Sequence, residues 1–465
     1  MKILLLILLF PLITFAADVN ENLEKYLDEC YKEKLFSGTV LILKDFKPVF
    51  EKSYGYSNIN SGELNSSDTK YNIASIGKTF TLTLILKLYE EGKLKLDDKL
   101  SDYLDLFKQD KFKDITIRHL ITHTSGLGDF INRDLIANKS KLKSLDDILE
   151  IISREVLEFK PGTGKKYSNS GYCLLGGIIE KVTGKKYKEY LEERIFDNLE
   201  MENYFYGFPQ EKIDLKATGY MQDIKGNLRP ADDMLIGSNP AGGVYVTVND
   251  MIKFNYSLFN DNKLLKDENK LLLLTELNEG KDRTFAELIN NPNFSTFLAG
   301  GSPGFNSLYF ISPSEGYTGF IFTNLDNAAE RIEKGIVQIL RGKKPDMPMK
   351  PIGRYLYDKL NEKGKDYFIS NIKNIVNEGN FNLDWDGLLN NAGYQFLNNG
   401  LNEEAIAIFK LNVEYFPGVA NCYDSLAEAY LISGNKSEAK KYYEMALNLD
   451  PDNNNIKKAI ESLNQ

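Results

Sequence analysis

The sequence predicts a multi-domain chain in which an α+β region is followed by all-α helical repeats. Strand-like runs occur near both ends of the first 341 residues and helical runs lie between them, which favours an α+β architecture over a regular βαβ alternation. The segment "RGKKPDMPMKP" (341–351) combines basic residues with three prolines and is typical of a linker. Beyond it the pattern is helical only, and it repeats with a period of 34 residues.

Apolar periodicity predicts the individual elements of the first region. Two β-rich runs around a Lys–Asp turn in "SGTVLILKDFKPVFEKSYGY" (37–56) predict a hairpin. The helical pattern predicts helices at 75–91, 97–107, 114–127, 145–158, 171–183 and 327–341. Further strands are predicted at 243–248, 305–311 and 317–323. Strands from the two ends of the region therefore enclose a largely helical middle.

Small and aromatic residues recur in the C-terminal region at the spacing of packed helix pairs. The recurrent pairs are Gly400 and Gly434, Ala405 and Ala439, Phe409 and Tyr443, and Pro417 and Pro451. The pattern resembles the tetratricopeptide repeat, and "YDSLAEAYLISGNKSEAKKYYEMALNLDP" (423–451) is its clearest copy. Residues 352–385 fit a degenerate third copy, because stacked repeats need neighbours to bury their faces. Two repeats cannot form a long concave groove, so we expect the module to dock on the first region of the chain, to mediate self-association or to bind a protein partner.

The N-terminal segment, the net charge and the cysteines limit the class of protein to which the chain can belong. The segment "MKILLLILLFPLITFAADVN" has the basic start, apolar core and small-residue site (Ala16–Ala17) of a secretory signal. It predicts an exported protein, periplasmic or extracellular, and an uncleaved anchor is the alternative. A formal net charge of −9 without basic blocks argues against nucleic-acid binding. Three widely spaced cysteines do not make a disulfide framework.

Two motifs suggest a phosphate-binding loop and a different nucleophile, but each lacks a residue that its chemistry requires. "GKT" (77–79) resembles the end of a phosphate-binding loop, but Asn72 stands where that loop needs a glycine. "GGSPG" (300–304) fits G-x-S-x-G with Ser302 as nucleophile, yet the following Pro303 has no N–H for an oxyanion hole. That motif also needs a histidine later in the chain, and none follows. Both motifs are therefore excluded as sites.

The two histidines have the spacing of metal ligands. His119 and His123 lie at i, i+4 in a predicted helix, but Leu120 stands where a zinc-hydrolase motif has glutamate, and no third ligand is evident. A structural role is therefore predicted for both, and no metal site is expected.

Ser75 and Lys78 form the strongest candidate for chemistry. The lysine opens the uncharged run Thr79–Leu86, which is predicted to be a buried helix. A spacing of three places both side chains on one helical face. Burial lowers the pKa of a lysine, so that Lys78 can accept a proton from Ser75. The alternative is that Ser75 only caps the helix.

A second element, "KKYSNSGY" (165–172), follows a Pro-Gly turn and precedes a predicted helix. Tyr167 can share the proton transfer, and Asn169 can orient Lys78 or hold a substrate carbonyl. Without the Ser75–Lys78 pair, a turn with a helix cap at Ser168 or Ser170 would explain the segment.

Five segments together resemble the serine β-lactamase-like family, which includes class C β-lactamases, D,D-peptidases and related esterases. They are "YNIASIGKTF", "LYEEGKLKLDDKLSDYL", "ITIRHLITHTSGL", "YSNSGYCLLGGIIEKVTGKKYKEYLEERIF" and "NPAGGVYVTVNDMIKF". The resemblance covers about residues 25–341, and bacterial members with C-terminal tetratricopeptide repeats look similar to the whole chain. It implies a penicillin-recognising fold with an antiparallel sheet and a helical domain. It also implies that Ser75 is acylated, that Lys78 is its base, and that Tyr167 and Asn169 form the second motif.

The sequence departs from the family at its third motif. A Lys-Thr-Gly or His-x-Gly strand is expected just before "PGF", where this chain has Leu298-Ala299-Gly300. The basic residue that helps to hold a substrate carboxylate is missing, and Arg283 is another conceivable source of that charge. The glycines Gly300 and Gly301 remain, so that a backbone N–H near Gly301 can pair with that of Ser75 as an oxyanion hole.

We therefore expect an exported serine hydrolase that forms an acyl-enzyme on small ester, amide or peptide substrates without metal or cofactor, with esters favoured. The alternatives are a D,D-peptidase or β-lactamase, and a catalytically weak hydrolase fold that serves as a binding or adaptor protein. The predicted domains are a signal peptide (1–17), the hydrolase domain (18–341), a linker (342–352) and the repeat region (353–465).

Overall fold

The computed structural model describes residues 10–131, 139–274 and 284–463. Residues 1–9 of the predicted signal peptide lie outside the described residues. Within the described part, no helix combines the length and apolarity needed to cross a membrane. The chain forms two compact units: the first contains Met1–Met221 and Pro230–Pro348, and the second contains Gln222–Arg229 and Met349–Gln465.

The strands are numbered along the chain. They are β1 (Gly38–Lys44), β2 (Lys47–Tyr54), β3 (Tyr56–Asn58), β4 (Glu63–Leu64), β5 (Tyr71–Asn72), β6 (Tyr204–Phe205), β7 (Tyr220–Gln222), β8 (Leu228–Pro230), β9 (Tyr245–Val246), β10 (Thr296–Ser302), β11 (Phe305–Ser312) and β12 (Tyr317–Thr323). Five of them form an antiparallel sheet in the order β10-β11-β12-β1-β2. The N-terminal hairpin is therefore paired with the last strands of the first unit, as an α+β fold requires.

The helices are also numbered along the chain. In the first unit they are α1 (Phe10–Lys32), α2 (Lys78–Glu90), α3 (Leu100–Tyr103), α4 (Ile117–Ile121), α5 (Leu145–Ile152), α6 (Asn169–Thr183), α7 (Tyr187–Leu191), α8 (Val248–Phe259), α9 (Asp267–Leu274), α10 (Phe285–Ile289) and α11 (Ala329–Leu340).

The central strands β1, β11 and β12 are buried on both faces of the sheet. The alternation of side chains along a strand assigns residues to one face or the other. Val40 and Ile42 of β1 pack in one core with residues of α1 and α11, such as Leu27. Leu41 and Leu43 lie on the opposite face, in the large core that contains α2 and α6. Strand β1 is consequently apolar at every position from Val40 to Leu43, which explains why its sequence reads as a continuous hydrophobic run.

Several predicted helices are shorter than expected. The helix predicted at 114–127 is only α4, because Thr122 donates its hydroxyl back to the carbonyl of Arg118 at 2.8 Å and His123 takes a φ of +58°. The helix predicted at 145–158 ends at Ile152. The one predicted at 97–107 ends at Tyr103, because Leu104 is extended, and a short 3₁₀ turn follows it.

The second unit consists of paired helices around its own hydrophobic core. Its helices are α12 (Ile352–Lys363), α13 (Lys365–Glu378), α14 (Gly387–Asn398), α15 (Asn402–Tyr415), α16 (Ala420–Ile432), α17 (Lys436–Leu449) and α18 (Asn454–Leu463). The recurrent residues Ala405, Ala439 and Phe409 are fully buried, and Tyr443 is nearly so. The helical repeat region is thus confirmed, and 352–385 also holds a helix pair.

The second unit also includes the segment Gln222–Arg229, which lies far from the repeats in the sequence. Ile224 in this segment is 1% exposed and belongs to the core formed by the repeat helices, next to Gly353. The sequence did not predict this contribution, because a single apolar residue in a loop gives no periodic signal.

Candidate active site

Ser75 lies in a strained turn that the sequence did not predict. It belongs to one turn of 3₁₀ helix, Ala74–Gly77, and α2 begins only at Lys78. Ala74 takes a φ of +44°, which is costly for a residue with a Cβ. Its N–H donates to Asn72 Oδ1 at 2.8 Å, and this bond helps to hold the turn. The Ser75 hydroxyl makes no capping bond to a helix, so that the capping role considered from the sequence is wrong.

Lys78 contacts Ser75 directly and has two further partners. Its Nζ lies 3.0 Å from Ser75 Oγ, 2.6 Å from Asn169 Oδ1 and 2.6 Å from the carbonyl oxygen of Ala241. The residue is 7% exposed, and burial lowers the pKa of Lys78 from 10.5 to about 7. A substantial fraction of Lys78 is therefore neutral at neutral pH.

The partners of Lys78 also fix the direction of its lone pair. A neutral amine has two N–H groups and one lone pair. The Ala241 carbonyl can only accept, and Asn169 presents its carbonyl oxygen. Both N–H groups are thereby engaged, and the lone pair is left for the hydroxyl of Ser75. The arrangement selects the orientation in which Lys78 can remove the proton of Ser75.

Tyr167 approaches Ser75 from the other side. Its hydroxyl lies 2.7 Å from Ser75 Oγ, and its ring packs against that of His123 at 4.7 Å between centroids. Burial of the hydroxyl raises the pKa of Tyr167, and the hydrogen bond with Ser75 partly offsets this rise. Tyr167 is therefore protonated at neutral pH and can pass a proton, whereas Lys78 is the group suited to accept one first.

Asn169 is the first residue of α6, and the preceding Ser168 caps that helix by accepting from the N–H of Gly171 at 3.1 Å. The cap considered from the sequence is thus present, and it coexists with the contact to Lys78. The Asn169 side-chain Nδ2 donates to Asp129 Oδ2 at 2.6 Å. Sequence reasoning missed Asp129, because a lone aspartate after two glycines is typical of a loop.

Gly300 and Gly301 occupy different environments on β10. A Cβ on Gly300 would lie 2.2 Å from the carbonyl oxygen of Ile73 and 3.0 Å from the backbone nitrogen of Ser75. Only glycine allows this strand to approach the Ser75 turn so closely. A Cβ on Gly301 would meet nothing within 4 Å, and Gly301 lines a cleft together with Ser75.

Ser75 lies between two clefts. One has a volume of about 330 Å³ and a mostly apolar lining that includes Leu82, Leu273 and Phe297. The other has a volume of about 300 Å³ and is lined by Asp129, Asn169 and several glycines. Among the described residues that line either cleft, Lys78 and His123 are the only basic ones.

The third-motif position is apolar in the structure. Leu298 and Ala299 both line the apolar cleft beside Ser75, and Leu298 shares the strand face of Gly300 because side chains two apart point to the same side. Among the described lining residues, no basic residue other than Lys78 and His123 lies near this position. Arg283, the other source considered, lies outside the described residues.

The remaining candidates have other surroundings. The prediction that His119 and His123 share a helical face is wrong, because α4 ends at Ile121. His119 Nδ1 accepts from the N–H of Thr116 at 3.3 Å, and His123 Nδ1 accepts from that of Ser168 at 3.2 Å. The described residues contain no group of three potential metal ligands. Ser302 Oγ is buried without a hydrogen-bond partner in the described structure, so that no base activates it.

Two contributors to the site carry no signal in the sequence. The carbonyl of Ala241 accepts from Lys78, but any residue type could supply it. His123 supports the ring of Tyr167, although its spacing to His119 suggested a different grouping.

Comparison with known proteins agrees with this fold. The family model described as Beta-lactamase matches residues 19–342, and the model described as Tetratricopeptide repeat matches residues 420–453. The Putative penicillin-binding protein PbpX of Bacillus subtilis (strain 168) is 30% identical over 327 residues, which cover 70% of this chain and 79% of the relative.

Two further relatives are more distant. Protein flp of Staphylococcus aureus (strain N315) is 28% identical over 67% of this chain, and the chain spans 64% of the length of that relative. The crystal structure of a penicillin-binding protein from Bacillus halodurans is 27% identical, with a TM-score of 0.59 over 67% of this chain and 99% of that structure.

Proposed function

The chain belongs to the beta-lactamase family, and we propose that it is a serine hydrolase that cleaves esters through an acyl-enzyme. Ser75 Oγ attacks the substrate carbonyl while Lys78 accepts its proton. The backbone N–H groups of Ser75 and Gly301 stabilise the oxyanion. The observation that carries the proposal is the Lys78 amine, buried, 3.0 Å from Ser75 Oγ, with both of its other positions occupied by acceptors.

Tyr167 completes the proposed proton path. As the tetrahedral intermediate collapses, the ester C–O bond breaks and the leaving alcohol takes the proton of the Tyr167 hydroxyl, which lies 2.7 Å from Ser75 Oγ. Lys78 then returns to Tyr167 the proton that it took from Ser75, so that the amine is neutral again. Water then adds to the acyl carbonyl while neutral Lys78 accepts a proton from it. When this second intermediate collapses, the acyl C–Oγ bond breaks, Lys78 returns the proton to Ser75 Oγ, and the free acid leaves. The chemistry needs no metal or cofactor.

Neutral esters are the proposed substrate class. The apolar cleft beside Ser75 suits an uncharged group. Apart from Lys78, which is the proposed base, His123 is the only basic residue in the described lining of the two clefts, and its ring packs against that of Tyr167. A carboxylate that is buried without a partner is costly. The alternative substrates, β-lactams or D-Ala-terminated peptides, are supported by the names of the penicillin-binding relatives. A binding or adaptor role is supported by the missing third-motif base and the repeat unit.

The location of the protein relative to the cell is a separate proposal. The apolar N-terminal segment with its small-residue site supports export to the periplasm or the exterior. A partner protein, or a second copy of the chain, is the proposed ligand of the repeats.

Intact-mass spectrometry after exposure to p-nitrophenyl acetate tests the hydrolase proposal. The expected result is one acetyl adduct on the unmodified protein, no adduct on Ser75→Ala, and an unchanged adduct on the control Ser302→Ala. Loss of a nucleophile costs many orders of magnitude in kcat. An adduct that persists in Ser75→Ala removes the assignment, and absence of turnover by the unmodified protein favours the adaptor alternative.

A further inference from the structure

We propose that Asp129 is a positioning residue of the proposed hydrolase, because its carboxylate holds the Asn169 amide in the orientation that directs the Lys78 lone pair at Ser75. This inference rests on the proposed function. Asp129 lies about forty residues before Asn169 in the chain, and its Oδ2 accepts from Asn169 Nδ2 at 2.6 Å.

The loop that carries Asp129 is tied to the start of α6 at neighbouring positions. The Gly128 carbonyl accepts from Ser168 Oγ at 2.6 Å, and the Phe130 N–H donates to Ser170 Oγ at 2.9 Å. The second oxygen of Asp129, Oδ1, accepts from the N–H of Ile131 at 3.0 Å. Both oxygens of the carboxylate therefore accept a hydrogen bond, and this fixes the position of the oxygen that accepts from the Asn169 amide.

A carboxylate selects one orientation of an amide because it can only accept hydrogen bonds. With Asn169 Nδ2 directed at Asp129, Oδ1 must face Lys78 Nζ at 2.6 Å. In the flipped amide, Nδ2 would face Lys78 and donate to its lone pair. Lys78 would then present an N–H to Ser75 and could not remove its proton.

The charge of Asp129 affects Lys78 less than the hydrogen bond from Asn169 to Asp129 does. Asp129 is exposed, so that solvent screens its effect on Lys78. The titratable groups near Lys78 are Asp129, Cys173, Tyr167 and Tyr172. Asp129 is also close enough to act on Glu155 and Tyr167. Removal of the aspartate charge lowers the pKa of Lys78, because a nearby anion favours the ammonium form.

The test compares Asp129→Ala, Asp129→Asn and the exposed control Asp68→Ala in the full chain. With p-nitrophenyl acetate, Asp129→Ala should lower kcat about 10- to 100-fold, the range expected for losing a hydrogen bond to a charged group. KM should change less than kcat, because the proposed effect of Asp129 reaches Ser75 through Asn169 and Lys78. Asp129→Asn should lose less, because its amide oxygen can still accept from Asn169 although it no longer excludes the flipped form.

A second readout does not depend on turnover. The pKa of Lys78 can be followed from its ¹³Cε chemical shift in lysine-labelled protein, assigned with Lys78→Met. It should fall in Asp129→Ala by more than in Asp129→Asn, because the ammonium form loses both a nearby charge and a fixed acceptor. Equal kcat and equal Lys78 pKa values in Asp129→Ala and Asp68→Ala would overturn the inference. If the unmodified protein forms no acyl adduct, the hydrolase proposal fails, whereas the Lys78 pKa values still decide whether Asp129 orients the amide.

Discussion

Lys78 stands at the beginning of a helix whose residues from Lys78 to Leu86 are all buried. Polar side chains of α2 are hydrogen-bonded: Thr79 donates to the Ile76 carbonyl at 2.7 Å, and Thr81 donates to the Pro240 carbonyl at 2.6 Å. The lysine is hydrogen-bonded too, and burial disfavours its charged form, which lowers the pKa of Lys78 to about 7. The burial that disfavours the charge of Lys78 is what suits the residue to the proposed role of base.

The pH dependence of turnover follows from the pKa of Lys78. In the proposed mechanism the neutral amine is the active form, and burial lowers the pKa of Lys78 to about 7. The value of kcat/KM for a neutral ester should therefore rise with pH through about 7 and then level off. Lys78→Arg should be inactive throughout, because arginine keeps its proton. The measurement is a stopped-flow or absorbance pH profile of both proteins. Near-normal turnover by Lys78→Arg would mean that the positive charge matters and the proton transfer does not.

Leu298 determines the expected preference against carboxylates. Leu298→His places a titratable cation in the apolar cleft, and it should raise acylation by a penicillin more than acylation by p-nitrophenyl acetate. Ala299→His is the variant to compare with Leu298→His. Position 299 also lines the cleft, but its side chain lies on the opposite face of the strand. Acylation rates by intact mass give the comparison. Faster hydrolysis of penicillins than of small neutral esters by the unmodified protein would contradict the preference.

At the scale of elements, the site is assembled where three short segments meet. The 3₁₀ turn Ala74–Gly77 carries Ser75, the start of α6 carries Asn169, and the edge strand β10 brings Gly300 against the turn. None of these contacts is local in the sequence. The position of β10 depends on its register with β11, in which Gly300 is opposite Ser307.

Gly300→Ala and Gly301→Ala should differ sharply in stability. The added methyl at position 300 would overlap the Ile73 carbonyl oxygen at 2.2 Å, and overpacking of this kind costs roughly 1–3 kcal/mol or more. The added methyl at position 301 has open space. Thermal unfolding should therefore give a clearly lower Tm for Gly300→Ala only, together with loss of the acyl adduct. Equal Tm values for the two variants would show that β10 does not approach the turn as described.

At the scale of the whole molecule, the chain contains two compact units whose sequences are interleaved. The repeat helices bury an isoleucine from a distant segment, so that the second unit is not a simple C-terminal appendage in the sequence. A division of the chain at the linker alone separates Ile224 from the core to which it belongs.

Ile224→Ala should destabilise the repeat unit. Truncating a buried isoleucine costs about 2–5 kcal/mol, and Ile224 is 1% exposed. Hydrogen exchange by mass spectrometry should show faster exchange in α12, where Gly353 lies next to Ile224, and in α14, where Gln395 adjoins the same position. The exposed neighbour Lys225→Ala should behave as the unmodified protein does. Unchanged protection of these helices in Ile224→Ala would exclude Ile224 from the core.

Local patterns in the sequence determined the β1–β2 hairpin, the strands β11 and β12, helix α6 and the period of the repeats, because apolar alternation and helix caps are interactions between near neighbours. The spacing of Ser75 and Lys78, and the segment with Tyr167 and Asn169, likewise identified the candidate site through residue type. Tertiary structure alone decided that Ala74 is strained, that the Ala241 carbonyl accepts from Lys78, that Asp129 holds Asn169 and that Ile224 belongs to the repeats. These features depend on backbone groups and on contacts between residues far apart in the chain. A pattern among near neighbours in the sequence does not predict such contacts.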